Sequence, residues 1–170
     1  MFAHVDDKPQ QCINLFTPVE MLNSLPTVEP EFLDIEMTLD TGATVHAMDK
    51  LDLPGFVIEE SAGSRAGQKF QFAGGKLIDN ERQVQIAMLA PGTNQELICN
   101  VQIAKVTRPL LSVTKMTESG KVKVVCTKDV AEIQDLKGKV LASFEKSGGL
   151  YVAMMRVRNP RHQPFGRPAR

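Results

Sequence analysis

The chain has 170 residues, a length that suits one domain with a short appended segment, and 42% of them are hydrophobic, enough to build a core. No apolar run approaches the roughly 20 residues needed to cross a bilayer, and the opening MFAHVDDKPQ carries acids where a secretory signal would carry bases and then apolar residues. The expectation is an intracellular, cytoplasmic protein. Formal net charge is zero, but Lys8 is the only base before Asp40, while arginines 156, 158, 161, 167 and 170 accumulate after the last acid. That density is too low to predict nucleic-acid binding by anything but the Arg-rich tail.

Residues 1–31 hold Pro9, Pro18, Pro26 and Pro30 with no sustained period and read as a poorly ordered lead-in. Within them TPVEMLNSL (17–25) has the capping residues for one or two helical turns, Thr17 before Pro18 and Glu20. From Asp34 the pattern is that of a half-buried strand, with Ile35, Met37 and Leu39 alternating with Glu36 and Thr38. It delivers Asp40 onto the turn Thr41-Gly42-Ala43, and Ala43, Val45 and Ala47 alternate on the way out. A strand-loop-strand unit of this kind holds a carboxylate at a fixed point. The same residues also suit an ordinary turn acid, since Asp and Gly favour turns anyway.

Turn chemistry at LDLPGF (51–56) and ESAGSRAG (60–67) leads into a hairpin over 67–89. Phe70 and Phe72 alternate on the way up, Ala73-Gly74-Gly75 makes the reversal, and Val84, Ile86 and Met88 alternate on the way down. A further strand follows with Leu97, Cys99, Val101 and Ile103 in phase. RPLLSVTKMTESG (108–120) reads as a short helix opened by Pro109 and closed by Gly120. VKVVCT, AEIQDL, KVLASF and LYVAMMRV then read as short strands turning at Lys137-Gly138 and Ser147-Gly148-Gly149. The end, 158–170, is a basic Pro/Arg tail expected to be disordered.

Cys12, Cys99 and Cys126 are odd in number and form no CxxC pair, so neither a zinc site nor a redox motif is predicted; Cys99 and Cys126 fall at apolar phases and are expected to be buried. His46 reads as a plain strand histidine, and His4 and His162 lie near the ends. No HExxH, GxSxG or complete phosphate loop occurs, and no metal or cofactor is expected.

Taken in order, these residues resemble the retropepsin-like aspartic proteases of retroviruses and retroelements. Asp40-Thr41-Gly42-Ala43 is similar to the family's active-site signature. The hairpin around Phe72-Ala73-Gly74-Gly75 resembles the flap that closes over substrate. Arg108-Pro109-Leu110-Leu111-Ser112-Val113 with its short helix resembles the end of the protease core, in wording closest to copia-type elements, and Gly149-Leu150-Tyr151-Val152 fits the strand-rich stretch that follows there. Ser112 stands where many viral members have glycine, and the flap lacks their glycine-rich tip.

The resemblance implies a mainly β fold, a closed acid-protease barrel over 32–120 with one short helix, followed by a strand-rich extension over 121–157. It implies an aspartic endopeptidase of a retroelement-type polyprotein, active as a homodimer because one chain supplies one Asp40. Catalytic water would sit between the two Asp40 carboxylates. Thr41 would bond across to the partner's loop, Gly42 would leave room for backbone and direct an N–H at the acid, and Ala43 would let substrate pass. Phe72, Ala73, Gly74 and Gly75 would cover a peptide or polyprotein substrate. The alternatives are a catalytically silent dimerisation or peptide-binding domain of the same fold, and a nucleic-acid accessory protein working through its tail.

Overall fold

In the computed structural model, which describes residues 29–71, 75–93 and 95–162, eleven strands and three short helical segments follow one another. Strand β1 (Phe32–Asp40) is the axis of the arrangement. Its alternating side chains bury Ile35, Met37 and Leu39 and expose Asp34 and Glu36, as a pleated strand with one face on a core must. Thr38 breaks the alternation: it is buried as well, and its N–H donates to the Pro109 carbonyl at 2.9 Å.

The Asp40 turn leads to β2 (His46–Met48), only three residues long and buried throughout. The strand expected to leave the turn at Ala43 starts at His46 instead. A 3-10 turn at Lys50–Asp52 and helix α1 (Ala62–Arg65) lead to a two-stranded hairpin, β3 (Lys69–Gln71) and β4 (Leu77–Asp79). The long strands β5 (Arg82–Leu89) and β6 (Glu96–Ile103) pair antiparallel over their whole length. In the segment expected to form only a helix, Leu110–Ser112 forms β7 and helix α2 begins at Val113 and ends at Thr117. Then come β8 (Val122–Cys126), β9 (Val130–Asp135), β10 (Val140–Ser147) and β11 (Leu150–Arg158).

Non-local pairing closes six of these strands into a barrel. The order β1-β7-β2-β6-β5-β11 returns to β1, because β11 runs antiparallel along β1 from Phe32↔Arg158 to Leu39↔Tyr151. Closure removes the free edges that an open sheet would present. The other edge of β11 is shared: Leu150 to Val152 pair with β10, and Arg156 and Val157 pair with β5. Strands β10, β9 and β8 continue outward from there as an antiparallel arm. The boundary drawn at residue 120 therefore does not interrupt the sheet.

The core is built of aliphatic and sulfur side chains, as the lack of Trp and the single Tyr require. Met37, Met48, Met88 and Met155 are fully buried beside Ile86, Val101, Ile103, Leu111 and Val157, and Phe144, Ile133 and Ala131 of the arm belong to the same cluster. Methionine's three rotatable bonds suit it to filling irregular space between such strands.

Two expectations need correction. Cys99 is buried, but Cys126, at the end of the outermost strand, is exposed. The first residues of the expected tail are ordered: Arg158 ends β11 and Asn159 is buried, with its side chain donating to the Pro30 carbonyl at 2.9 Å, while 163–170 lie outside the described residues. Arg156 and Arg158 stand over the Phe32 ring at 5.1 and 5.3 Å, so two of the late arginines already have an aromatic partner. The helical turns expected over 17–25 lie outside the described residues, as does Cys12. No helix among the described residues is long and apolar enough to cross a membrane.

Candidate active site

Asp40 stands at the end of β1, where the chain leaves the barrel wall. β7 lies between β1 and β2, parallel to the first through Thr38↔Leu110, Leu39↔Leu111 and Asp40↔Ser112, and antiparallel to the second at Ala47↔Leu110. The loop from 41 to 45 thus passes over a strand inserted from far along the chain, which fixes both of its ends.

Within the loop, Asp40 Oδ1 accepts the Gly42 N–H at 2.7 Å and the Ala43 N–H at 3.2 Å. These charge-assisted bonds orient the carboxylate. The second oxygen, Oδ2, has no protein donor among the described residues. Gly42 does not take a positive φ, and a Cβ placed there would stand 3.4 Å from Oδ1, an ordinary contact. A single chain therefore does not demand glycine at that position. Thr41 and Gly42 are exposed at the crest of the loop, and Ala43 is half-buried.

Beneath the loop lies a buried polar link that the sequence did not disclose. Ser112, fully buried, donates its hydroxyl to the Ala43 carbonyl at 2.5 Å, and the same oxygen accepts the Lys115 N–H at 3.0 Å. One hydroxyl thus caps α2 and ties it to the acid's loop. The Ser112 N–H donates to His46 Nδ1 at 3.0 Å. Because Nδ1 accepts, the imidazole is the neutral tautomer protonated on Nε2. Burial first, then the Lys115 charge, holds His46 below its ordinary pKa. His46 is therefore a structural acceptor, matching the plain histidine expected.

Two cavities flank Asp40. One, of about 400 Å³, is lined by Asp40, Gly42, Val45, Ala47, Leu110 and Phe70 among others and is mostly apolar. The other, of about 640 Å³, runs from Asp40 and Thr41 to Lys76, Lys105, Arg108 and Tyr151. Among the described residues Asp40 is the only acid lining either.

The β3–β4 hairpin contributes to both, Phe70 and Gln71 on one side and Lys76 and Ile78 on the other, so it stands over the acid as a cover. The chain reverses between Gln71 and Leu77, but Val84, Ile86 and Met88, expected to descend in this hairpin, lie in β5 and pair with β6 instead. Gly75 has φ 81°, a conformation that favours glycine, and its exposed position fits a turn. Phe72, Ala73 and Gly74 lie outside the described residues. At the foot of the hairpin, buried Asn80 donates to Gln102 Oε1 at 2.9 Å and to Gln68 Oε1 at 3.2 Å. A Cβ on Gly63 would overlap Gln68 Oε1 and fall 2.8 Å from the Asn80 amide nitrogen, so a larger residue there would displace the side chains of this hydrogen bond.

The structure thus gathers Asp40, Thr41, Gly42 and Ala43 on one loop and the described part of the hairpin above them. It adds Ser112, His46, Lys76, Lys105, Arg108 and Tyr151, which sequence spacing did not assign to the site. For Ser112 a signal existed in the LLSV segment; for the loop cations none did. No group of His, Cys, Asp and Glu among the described residues is arranged to hold a metal ion. Comparison with family models, with curated proteins and with solved structures finds no match for the chain.

Proposed function

We propose that this chain is an aspartic endopeptidase of retropepsin type, in which two copies bring their Asp40 loops together to hydrolyse peptide bonds of a retroelement-type polyprotein. The observation that carries the reading is the placement of Asp40. It is an oriented, half-buried carboxylate, among the described residues the only acid between two cavities, under a hairpin that pairs there only with itself.

The chemistry follows from one acid per chain. Two such carboxylates about 3 Å apart across a two-fold axis cannot both ionise and so share a proton. The ionised member takes a proton from water, which attacks the scissile carbonyl. The protonated member donates a hydrogen bond to the carbonyl oxygen as negative charge builds there, then passes its proton to the leaving nitrogen. No acyl-enzyme forms. The N–H groups of Gly42 and Ala43 hold each Oδ1, which leaves Oδ2 to face the reacting atoms. An extended peptide would lie between this floor and the hairpin, held by main-chain hydrogen bonds.

The chain's own C-terminal strand shapes how such a dimer would form. β11 is paired with β1 throughout and with β10 and β5 on its other edge, so it is not free to exchange. Pairing would centre on the exposed crest at Thr41 and Gly42. The Thr41 hydroxyl would then bond across to the partner's loop.

The experiment is a peptide-library digest by the purified chain between roughly pH 4 and 7, where a shared-proton dyad works. Cleavage should be blocked by a statine-type mimic of the tetrahedral intermediate. Asp40→Asn should lower it by at least about 10²-fold to 10⁴-fold, the contribution of general acid–base catalysis. A dimer that binds peptides and cuts none would be a silent binding domain instead.

A further inference from the structure

The larger cavity beside Asp40 is unlike the rest of this neutral chain. Its wall carries Lys76 from the hairpin and Lys105 and Arg108 from the segment before β7, with no acid among the described residues except Asp40 itself. None of the three cations is in an ion pair among the described residues. They come from two distant parts of the chain and meet around one opening, interleaved with Ile78, Leu110 and Leu150. The smaller cavity on the other side of Asp40 has no cation among the described residues of its lining. A carboxylate entering the larger cavity would meet three positive charges; a basic side chain would be repelled. Charge of one sign lining a cleft discriminates among ligands more than it tightens binding overall.

Resting on the endopeptidase reading, we propose that this cavity is a specificity subsite for an acidic side chain, so that the substrates are chains carrying Asp or Glu close to an apolar cleavage position. The smaller cavity, with Val45, Ala47, Leu110 and Phe70, takes the apolar residue. A two-fold axis repeats both cavities, so an acid is accepted on either side of the cleaved bond. A peptide fits this wall better than a nucleic acid does. Single strands need a row of stacking platforms, and among the described residues Tyr151 is the only aromatic in the lining, with its hydroxyl donating to the Thr127 carbonyl at 2.6 Å and Lys146 over its ring.

The test uses the full chain and matched peptides that share an apolar cleavage position and carry Glu, Gln or Lys at each flanking position in turn. At one or more flanking positions the Glu peptide should exceed its Gln isostere in kcat/KM by about fivefold to tenfold, as a few partly solvated ion pairs allow, and the Lys peptide should be poorest. The advantage should shrink in high salt. It should vanish in Lys105→Gln/Arg108→Gln and, independently, fall in Lys76→Gln. Equal cleavage of Glu and Gln peptides at every position would overturn the subsite while leaving the protease reading intact. If nothing is cleaved, the protease reading fails and equilibrium binding of the same peptides to the wild-type chain decides the subsite: preference for Glu sustains it, and indifference ends it. Tighter binding of a single-stranded oligonucleotide than of the Glu peptide, lost in the same variants, would also overturn it.

Discussion

Below Asp40 and above it, the molecule is built in opposite ways. Below, β1, β7 and β2 interlock, Leu111 and Ser112 are fully buried, and the loop is tied down through Ser112 and His46. Above, β3 and β4 are three residues each, pair only with one another, and expose most of their side chains. Their Lys69–Asp79 ion pair is exposed on both partners and anchors nothing beneath. The floor fixes where a carboxylate stands; the cover is left few buried contacts with which to resist opening. Regions that must move are drawn from the least stable parts of a fold, so the contrast suits the proposed hydrolysis of an extended chain.

Substitutions can sharpen that contrast. The largest effect on stability is expected from Ser112→Ala, which removes the α2 cap and leaves the half-buried Ala43 carbonyl without its donor. The loss should be about 1–3 kcal/mol, read by urea unfolding, with turnover falling as the acid's loop loosens. Stability unchanged within error would mean that the floor is not held as described.

His46 gives the floor a pH dependence. Its pKa lies below 6.5 in the folded chain and returns toward 6.5 on unfolding. Below about pH 6.5 the unfolded chain therefore binds a proton that the folded chain refuses, and stability falls with pH until the folded-state pKa is passed. Its full contribution is present above pH 6.5. Thermal unfolding between pH 5 and 8 should show this slope, and His46→Asn, whose amide oxygen can accept the Ser112 N–H, should flatten it. A slope that persists in His46→Asn assigns it to another group.

The smallest effect belongs to the cover. Lys69→Ala should change global stability by no more than about 0–1 kcal/mol, as exposed ion pairs do. Its consequence should appear instead in hydrogen exchange of the hairpin amides, which should speed up while those of β1 and β7 do not. Equal acceleration in both places would erase the distinction between floor and cover.

The sequence made parts of this architecture legible and hid others for physical reasons. Ile35, Met37 and Leu39 announce β1 because strand periodicity is local, and the glycine turns at 138, 148 and 149 fall where expected, each with a positive φ. The resemblance implied a closed barrel within 32–120; that β11 would close it was invisible, since nothing near Phe32 says that it will lie beside Arg158. Leu110 to Ser112 read as helix because three residues cannot declare a period, and parallel pairing to β1 decided the matter. The alternation after Asp40 suggested a strand from Ala43, but the Ala43 N–H turns back to the acid and its carbonyl to Ser112, so the backbone is spent on the loop. Cys126 sits in a strand as its pattern implied, yet on the outer edge of the arm, where position rather than period sets exposure. At the site, the motif placed Asp40 and its loop. Lys76, Lys105 and Arg108 converge only in three dimensions.

The most direct measurement mixes wild type with Asp40→Asn at constant total concentration, after subunit exchange, and follows peptide cleavage against the fraction of wild type. If each working centre draws one Asp40 from each of two copies, and mixed pairs are dead, activity falls as the square of that fraction and an equal mixture keeps about one quarter. A linear fall, with about one half remaining, would contradict the shared centre.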